Sequence, residues 1–422
     1  MKSGIASLYV VDARSGQVLF HKNENVGLAP ASTQKIITNA AAYELLGPSF
    51  QYKTEFGYTG KLANGILDGD IVVKPSGDPT LGSWRWQQTK EEAVLNRIAD
   101  AITAAGIREF NNLAVQKDNW EGETIPSGWI WEDIANYYGA GAEALNWREN
   151  QFDLVLQSGN VGDDVHIKGT KPALYDYPII SRAKTAAKGT GDNAYIYFPV
   201  GRSQAVVRGT IPAGENNFTI SGSMPSGEVQ LLHTLYDLLK SRGVTMKGAF
   251  TATAKENITT LHTEVSPPLD SISYWFLKRS INLYGEALAK TIADQTGKEA
   301  TTTNGVKIIK DLWKEKTPVD VSAFNMYDGS GLSPLNRVTT KAQVAVLRYA
   351  KGQPWYSSYF NGFPEYNNMK MKSGTINGAK SFCGYHKAAN GKEYVFSFIV
   401  NNYNGSASSL VQKMYRVLNV LK

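Results

Sequence analysis

Ala29-Pro30-Ala31-Ser32-Thr33-Gln34-Lys35-Ile36-Ile37-Thr38-Asn39-Ala40-Ala41-Ala42 opens with a proline and a serine, runs on as helix formers to Leu46 and stops at Gly47-Pro48. The pattern predicts a helix with Ser32 at its N-terminus. Three positions separate Ser32 from Lys35, so on a helix both side chains share a face and the amine can accept the hydroxyl proton. An isolated match of this kind is more commonly an N-cap serine followed by a solvated lysine. A second Ser-x-x-Lys, Ser181-Arg182-Ala183-Lys184, borders a stretch rich in Lys, Ala and Gly up to Gly191, which reads as an exposed loop.

Two further stretches tip the reading toward chemistry. Ser280-Ile281-Asn282 falls between two helical patterns, Leu269 to Arg279 and Leu283 to Gln295, and reads as a short link. There the serine can relay a proton and the asparagine amide can hold a carbonyl. Lys372-Ser373-Gly374-Thr375 closes the stretch from Met369 and is followed by the alternating strand Glu393 to Val400, so it reads as one edge of a hairpin. Such an edge offers Lys372 as a cation, the hydroxyls of Ser373 and Thr375 for a carboxylate, and a backbone N–H for an oxyanion. Gly374 would let a substrate backbone lie close. Taken singly, each is more often a linker polar group or an edge lysine, and Ser158-Gly159-Asn160 and Lys2-Ser3-Gly4 repeat the short patterns elsewhere.

In this order the three elements match those of penicillin-interacting serine acyl-transferases. The chain resembles the class C low-molecular-mass penicillin-binding proteins, D-alanyl-D-alanine carboxypeptidases and endopeptidases of the bacterial cell wall. Gly77-Asp78-Pro79-Thr80-Leu81 and Asp328-Gly329-Ser330-Gly331-Leu332-Ser333 are also similar to stretches of that family, and the likeness runs from about Ser7 to the C-terminal helix. Ser373 stands where the family usually has Thr, and Ile281 where Asp is common.

The resemblance implies an α/β (α+β) fold: a penicillin-binding-protein/β-lactamase-like transpeptidase domain with two nested inserted smaller domains. It implies a serine hydrolase in which Ser32 attacks a D-Ala carbonyl and Lys35 is its base. The N–H groups of Ser32 and Thr375 bind the oxyanion, Ser280 passes the proton to the leaving amine, and Asn282 positions the acyl amide. A neighbouring Lys372 ammonium is expected to lower the Lys35 pKa. No cofactor is required. The implied ligands are peptidoglycan stem peptides and β-lactams. In the family an acid of the insert recognises the amino group of a diamino acid, and Gly128-Trp129-Ile130-Trp131-Glu132-Asp133-Ile134 is similar to that region. Asp133 fits best, with Glu132 as its neighbour. A serine β-lactamase and a non-catalytic β-lactam or wall-binding sensor remain the alternatives.

Composition agrees with a packed, multidomain enzyme: the 422 residues are 42% apolar, 11% aromatic and 19% charged. The net charge of +6 is scattered with no basic run between stacking aromatics, which excludes the nucleic-acid pattern and fits a mildly cationic surface near an anionic wall. Five histidines without a His-Glu-x-x-His pair argue against zinc peptidase chemistry. The single cysteine, Cys383, lies in a strand pattern and reads as a buried thiol. Met1-Lys2-Ser3 leads almost directly into a strand, so the expectation is a mature, periplasmic or extracytoplasmic form without its leader. No run nears the roughly 18 apolar residues of a membrane helix. The amphipathic stretch Ser409 to Lys422 is expected to pack on the catalytic sheet, with peripheral membrane contact as the alternative. The oligomeric state is not encoded in any pattern of the sequence.

Ser32 and Ser280 must meet in one cleft, so the chain between them should form inserted material. The expected division is 1–50 and 264–422 for the catalytic domain, 51–151 and 219–263 for the insert, and 152–218 for a small β domain nested within it. Trp120, Trp129, Trp131, Trp147, Tyr137 and Tyr138 crowd the stretch Asp118 to Asn150 and read either as core or as a surface that stacks on a muropeptide.

Overall fold

The computed structural model describes residues 3–116, 119–120, 123–175, 177–198, 204–253 and 257–422. Lys2, Asp118 and the end of one expected strand, Pro199-Val200-Gly201, lie outside the described residues. The chain forms two compact units, one from Met1–Phe50, Pro126–Trp129 and Pro267–Lys422, the other from Gln51–Ile125 and Ile130–Ser266.

The first unit is built on a six-stranded sheet. Its strands are β1 (Ile5–Asp12), β2 (Val18–Lys22), β3 (Glu365–Tyr366), β4 (Met369–Ile376), β5 (Ala379–Lys387) and β6 (Glu393–Asn401). They run in the order β2-β1-β6-β5-β4-β3, every pair antiparallel. The helices are α1 (Lys35–Leu46), α2 (Leu269–Lys278), α3 (Asn282–Gln295), α4 (Thr302–Lys316), α5 (Thr340–Lys351), α6 (Tyr356–Asn361) and α7 (Ala407–Leu418).

Strand alternation sorts the residues onto two covered faces. Leu8, Val10, Met369, Met371, Phe382, Phe396 and Phe398 pack with Leu410, Met414 and Leu418 of α7. Each fully buried apolar side chain there contributes about 1.5–3 kcal/mol. The apolar stripe of α7 is thus consumed by the sheet, as the periodicity of 409–422 predicts. The alternate positions meet α5 through buried polar groups. Ser7 Oγ and Thr340 Oγ1 are 2.7 Å apart, and Ser397 donates to Gln343 Oε1 (2.6 Å). Such contacts fix register more than they add stability, because each net hydrogen bond contributes only about 1 kcal/mol.

The second unit has two cores. Helices Glu91–Ala104 and Gly227–Ser241 pack against strands 53–58, 71–74 and 113–116 through Phe56, Val73, Ile98, Val115 and Leu235. Separately, strands within 151–223 enclose Phe152, Leu154, Ile196, Val207 and Ile220. The exposed loop expected after Ser181 is partly a strand instead, Lys184–Ala186, which pairs in parallel with Thr210–Pro212.

Candidate active site

Ser32 lies in the 3-10 turn Ala31–Gln34 that leads into α1. Ala31 is held at φ +48°, in the left-handed region, which costs a non-glycine residue about 1–2 kcal/mol. Neighbours on three sides hold that turn in place. Thr33 donates to the Pro30 carbonyl (2.7 Å) and accepts from Gln343 Nε2 (2.9 Å), while Ser381 Oγ donates to the Pro30 carbonyl (2.5 Å). Gly374 is required here for a reason the sequence did not show. A Cβ on it would lie 2.7 Å from Pro30 O and 2.9 Å from Ser32 N, so its close neighbour is the turn that carries Ser32.

Lys35 is fully buried, whereas Ser32 keeps partial access to solvent. The Lys35 Nζ has three polar neighbours: Ser32 Oγ at 3.0 Å, Asn282 Oδ1 at 2.5 Å and the Ser330 carbonyl at 2.7 Å. Asn282 Oδ1 and the carbonyl can only accept, so two N–H bonds are committed to them. A neutral amine therefore has its lone pair left for Ser32. Burial brings the Lys35 pKa down to about 7, opposed by the charges of Asp328 and Glu286. Lys372, expected from the sequence to help lower it, is not among the causes, and desolvation leads the shift. Lys372 is itself held well below the ordinary lysine range, by burial first and by the Lys35 charge second.

Asn282 opens α3, and Ser280 precedes it at φ +58°, a second left-handed residue. Lys372 Nζ donates to Ser280 Oγ (2.8 Å) and to the Ser373 carbonyl (2.7 Å), so the three elements meet as two linked Ser–Lys pairs. Among the described residues β3 pairs only with Met369 and Lys370, so there Lys372 to Thr375 have β5 on one side and no paired strand on the other. Thr375 accepts from Lys380 Nζ (2.6 Å), a cation opposite it on β5 that sequence reasoning did not single out. Cys383 faces Lys372 across the strands, and burial pushes its thiol well up, as an inert cysteine requires.

Sequence reasoning also passed over the support behind Lys35. Asp328 accepts from Gln34 Nε2, Gly331 N and Asn336 Nδ2 on one oxygen and from Trp129 Nε1 and Ser333 N on the other. Glu286, one turn after Asn282 on α3, is fully buried and accepts from Gly329 N (3.0 Å). The helical i, i+4 spacing from Asn282 was the available signal for Glu286.

In the second unit Asp133 sits in the short helix Trp131–Ile134, half-buried. Burial raises its pKa to about 6, against a hydrogen bond from Tyr138, and the Glu132 charge adds to the rise. Glu132 is exposed and accepts from Tyr197 Oη (3.1 Å). The aromatic group divides: Trp147 is core, Trp129 anchors Asp328, and exposed Trp131 packs on Tyr197 at 4.9 Å. Two of the competing patterns are occupied elsewhere in this unit, with Lys184 paired to Asp164 (2.8 Å) and Ser158 donating to the Pro212 carbonyl (2.6 Å). Among the described residues no group of three or more His, Cys, Asp or Glu could hold a metal ion.

The profile of the D-Ala-D-Ala carboxypeptidase 3 (S13) family matches residues 2–419. A D-alanyl-D-alanine carboxypeptidase of Actinomadura sp. (strain R39) is 27% identical over 446 residues, spanning 98% of this chain and 80% of the relative. The D-alanyl-D-alanine carboxypeptidase DacB of Haemophilus influenzae is 23% identical over 411 residues, spanning 92% and 83%. The crystal structure of penicillin binding protein 4 (dacB) from Haemophilus influenzae shares the fold, with a TM-score of 0.87 over 100% of this chain and 97% of that one at 22% identity. A family profile matched along nearly the whole chain, over a fold with two linked Ser–Lys pairs at its centre, places the protein plainly: it belongs to the D-Ala-D-Ala carboxypeptidase 3 (S13) family.

Proposed function

We propose that this family member is an extracytoplasmic serine D,D-peptidase that cleaves D-Ala peptide bonds of peptidoglycan stem peptides, both terminal and cross-linking, and that β-lactams acylate it. The carrying observation is the contact of Lys35 Nζ with Ser32 Oγ, Asn282 Oδ1 and the Ser330 carbonyl. In the proposed cycle Ser32 Oγ attacks the D-Ala carbonyl while its proton passes to Lys35. The N–H groups of Ser32 and Thr375 receive the oxyanion. The C–N bond then breaks as the proton taken up by Lys35 is handed through Ser280 to the leaving amine, which leaves Lys35 neutral. Water hydrolyses the resulting ester with Lys35 again as base. The free edge of β4 at Lys372 to Thr375 would take the substrate as an added strand. No helix among the described residues is long and apolar enough to cross a membrane, and α7 spends its apolar face on the sheet.

The test is incubation with defined muropeptides and mass spectrometry of the products. Loss of one D-Ala from pentapeptides marks carboxypeptidase action, and monomers released from cross-linked dimers mark endopeptidase action. Fast turnover of penicillin with no peptide product would make the protein a β-lactamase. A stable adduct with no product of either kind would make it a sensor.

Asp133 is assigned to the free amino group of a diamino-acid side chain. Asp133→Asn should lower kcat/KM by about 1–3 kcal/mol for peptides that carry that group and leave penicillin acylation unchanged. Because the Asp133 pKa is raised to about 6, the preference should be present above that pH and fade below it as the carboxylate gains a proton. Equal losses with both ligands would make Asp133 structural or catalytic. A selective loss in Glu132→Gln alone would move the role to its neighbour.

A further inference from the structure

Lys35 must become a buried ammonium each time it takes the Ser32 proton, and a buried charge without a counter-charge is costly. Asp328 carries a charge nearby, but its two oxygens already accept five N–H donors that hold the 328–336 loop together. Glu286 differs. One of its oxygens, Oε2, accepts from Gly329 N (3.0 Å), the Ser330 hydroxyl bonds to the carboxylate, and Oε1 is buried with no hydrogen-bond partner among the described residues. A polar atom left unpaired in a core needs an explanation beyond packing. Ser330 links the two groups, since its side chain meets Glu286 while its carbonyl accepts from Lys35 Nζ (2.7 Å).

Close backbone contact keeps that arrangement in place. A Cβ on Gly329 would lie 2.2 Å from the Gly285 carbonyl, so the loop rests directly on α3 beside Glu286. Asn282, four positions earlier on α3, holds Lys35 through Oδ1, so one helix face presents both the hydrogen-bond acceptor and the carboxylate to the lysine.

We propose that Glu286 is a positioning residue that supplies the buried counter-charge for the Lys35 ammonium, and so sets the basicity of Lys35 toward Ser32. This rests on Lys35 being the base. Among the described residues the charges that act on Glu286 are Lys35 from α1 and Asp328 from the loop, and buried Lys290 lies one turn further along α3. The buried faces of α2 and α4 carry no titratable side chain. Burial and the Asp328 charge raise the Glu286 pKa and the Lys35 charge lowers it, as a coupled acid and base require. The coupling is mutual, because the Glu286 charge supports protonation of Lys35.

The experiment is the pH dependence of penicillin acylation in the full chain, with Glu286→Gln and Glu286→Asp, and with melting followed in parallel. Gln keeps the shape and an oxygen for Gly329 N but removes the charge. Its acidic limb should move down by about one pH unit. Above neutral pH its rate should be about three- to tenfold lower, because the amine has become a weaker base. In acid the variant should therefore equal the parent or exceed it by up to about threefold, and above neutrality it should fall below it. Glu286→Asp should return part of both changes, and it carries the test if the Gln variant fails to fold. A uniform loss at every pH, or a limb that neither variant moves, overturns the proposal. A parent enzyme with no acidic limb would instead remove Lys35 as the base, a separate failure.

Discussion

Ser32→Ala should abolish covalent labelling by penicillin and lower D-Ala release by roughly five to six orders of magnitude, the scale on which removal of a serine nucleophile acts. The fold should survive. The Ser32 hydroxyl is partnered by Lys35, and the turn itself is held by Thr33, Ser381 and Gln343, which the substitution leaves in place. In the parent protein a tryptic peptide containing Ser32 should carry the adduct. Labelling of Ser181, or undiminished labelling of the alanine variant, would end the assignment.

Lys35→Ala should slow acylation by about two orders of magnitude or more, because it removes the only amine in contact with Ser32 among the described residues. In the parent enzyme the sign of the pH effect follows from the Lys35 pKa of about 7. The amine is the base, so acylation should rise with pH through that value and level off above it. Below it the rate should fall about tenfold for each unit as the ammonium takes over. In Lys35→Ala this limb should disappear. Native melting together with an unchanged rate would place the base elsewhere.

Several parts of this site could be read from the chain because they depend on local spacing. The three-residue offset of Ser32 and Lys35 needs only a helical turn. The link at Ser280 and the hairpin at Lys372 need only a change from one periodicity to another. Glu286 was within reach of the same reasoning, being one turn from Asn282, but an acid on a helix face carries no sign of burial. Lys380 was similarly hidden, because its place opposite Thr375 depends on hairpin register.

Gly374 shows the limit most clearly. Its residue type announced a close approach, but not of what, and the backbone of Pro30 to Ser32 answers that only once β4 and the turn have met. The Lys35 pKa is a second case. From the sequence the nearest available cause was another lysine, whereas burial by surrounding elements leads the shift. Pro126–Trp129 is a third, four residues from the middle of the chain that join the first unit, where Trp129 holds Asp328.

By itself the sequence determined the helix and strand periods, the two faces of each strand, and which side chains are candidates for chemistry, since propensity and alternation act over a few residues. Only the tertiary structure decided which serine of each repeated pattern has a lysine beside it, which acid lies behind that lysine, and how far desolvation lowers its pKa. Those depend on atoms brought together from distant parts of the chain, and on the exclusion of water that only their packing produces.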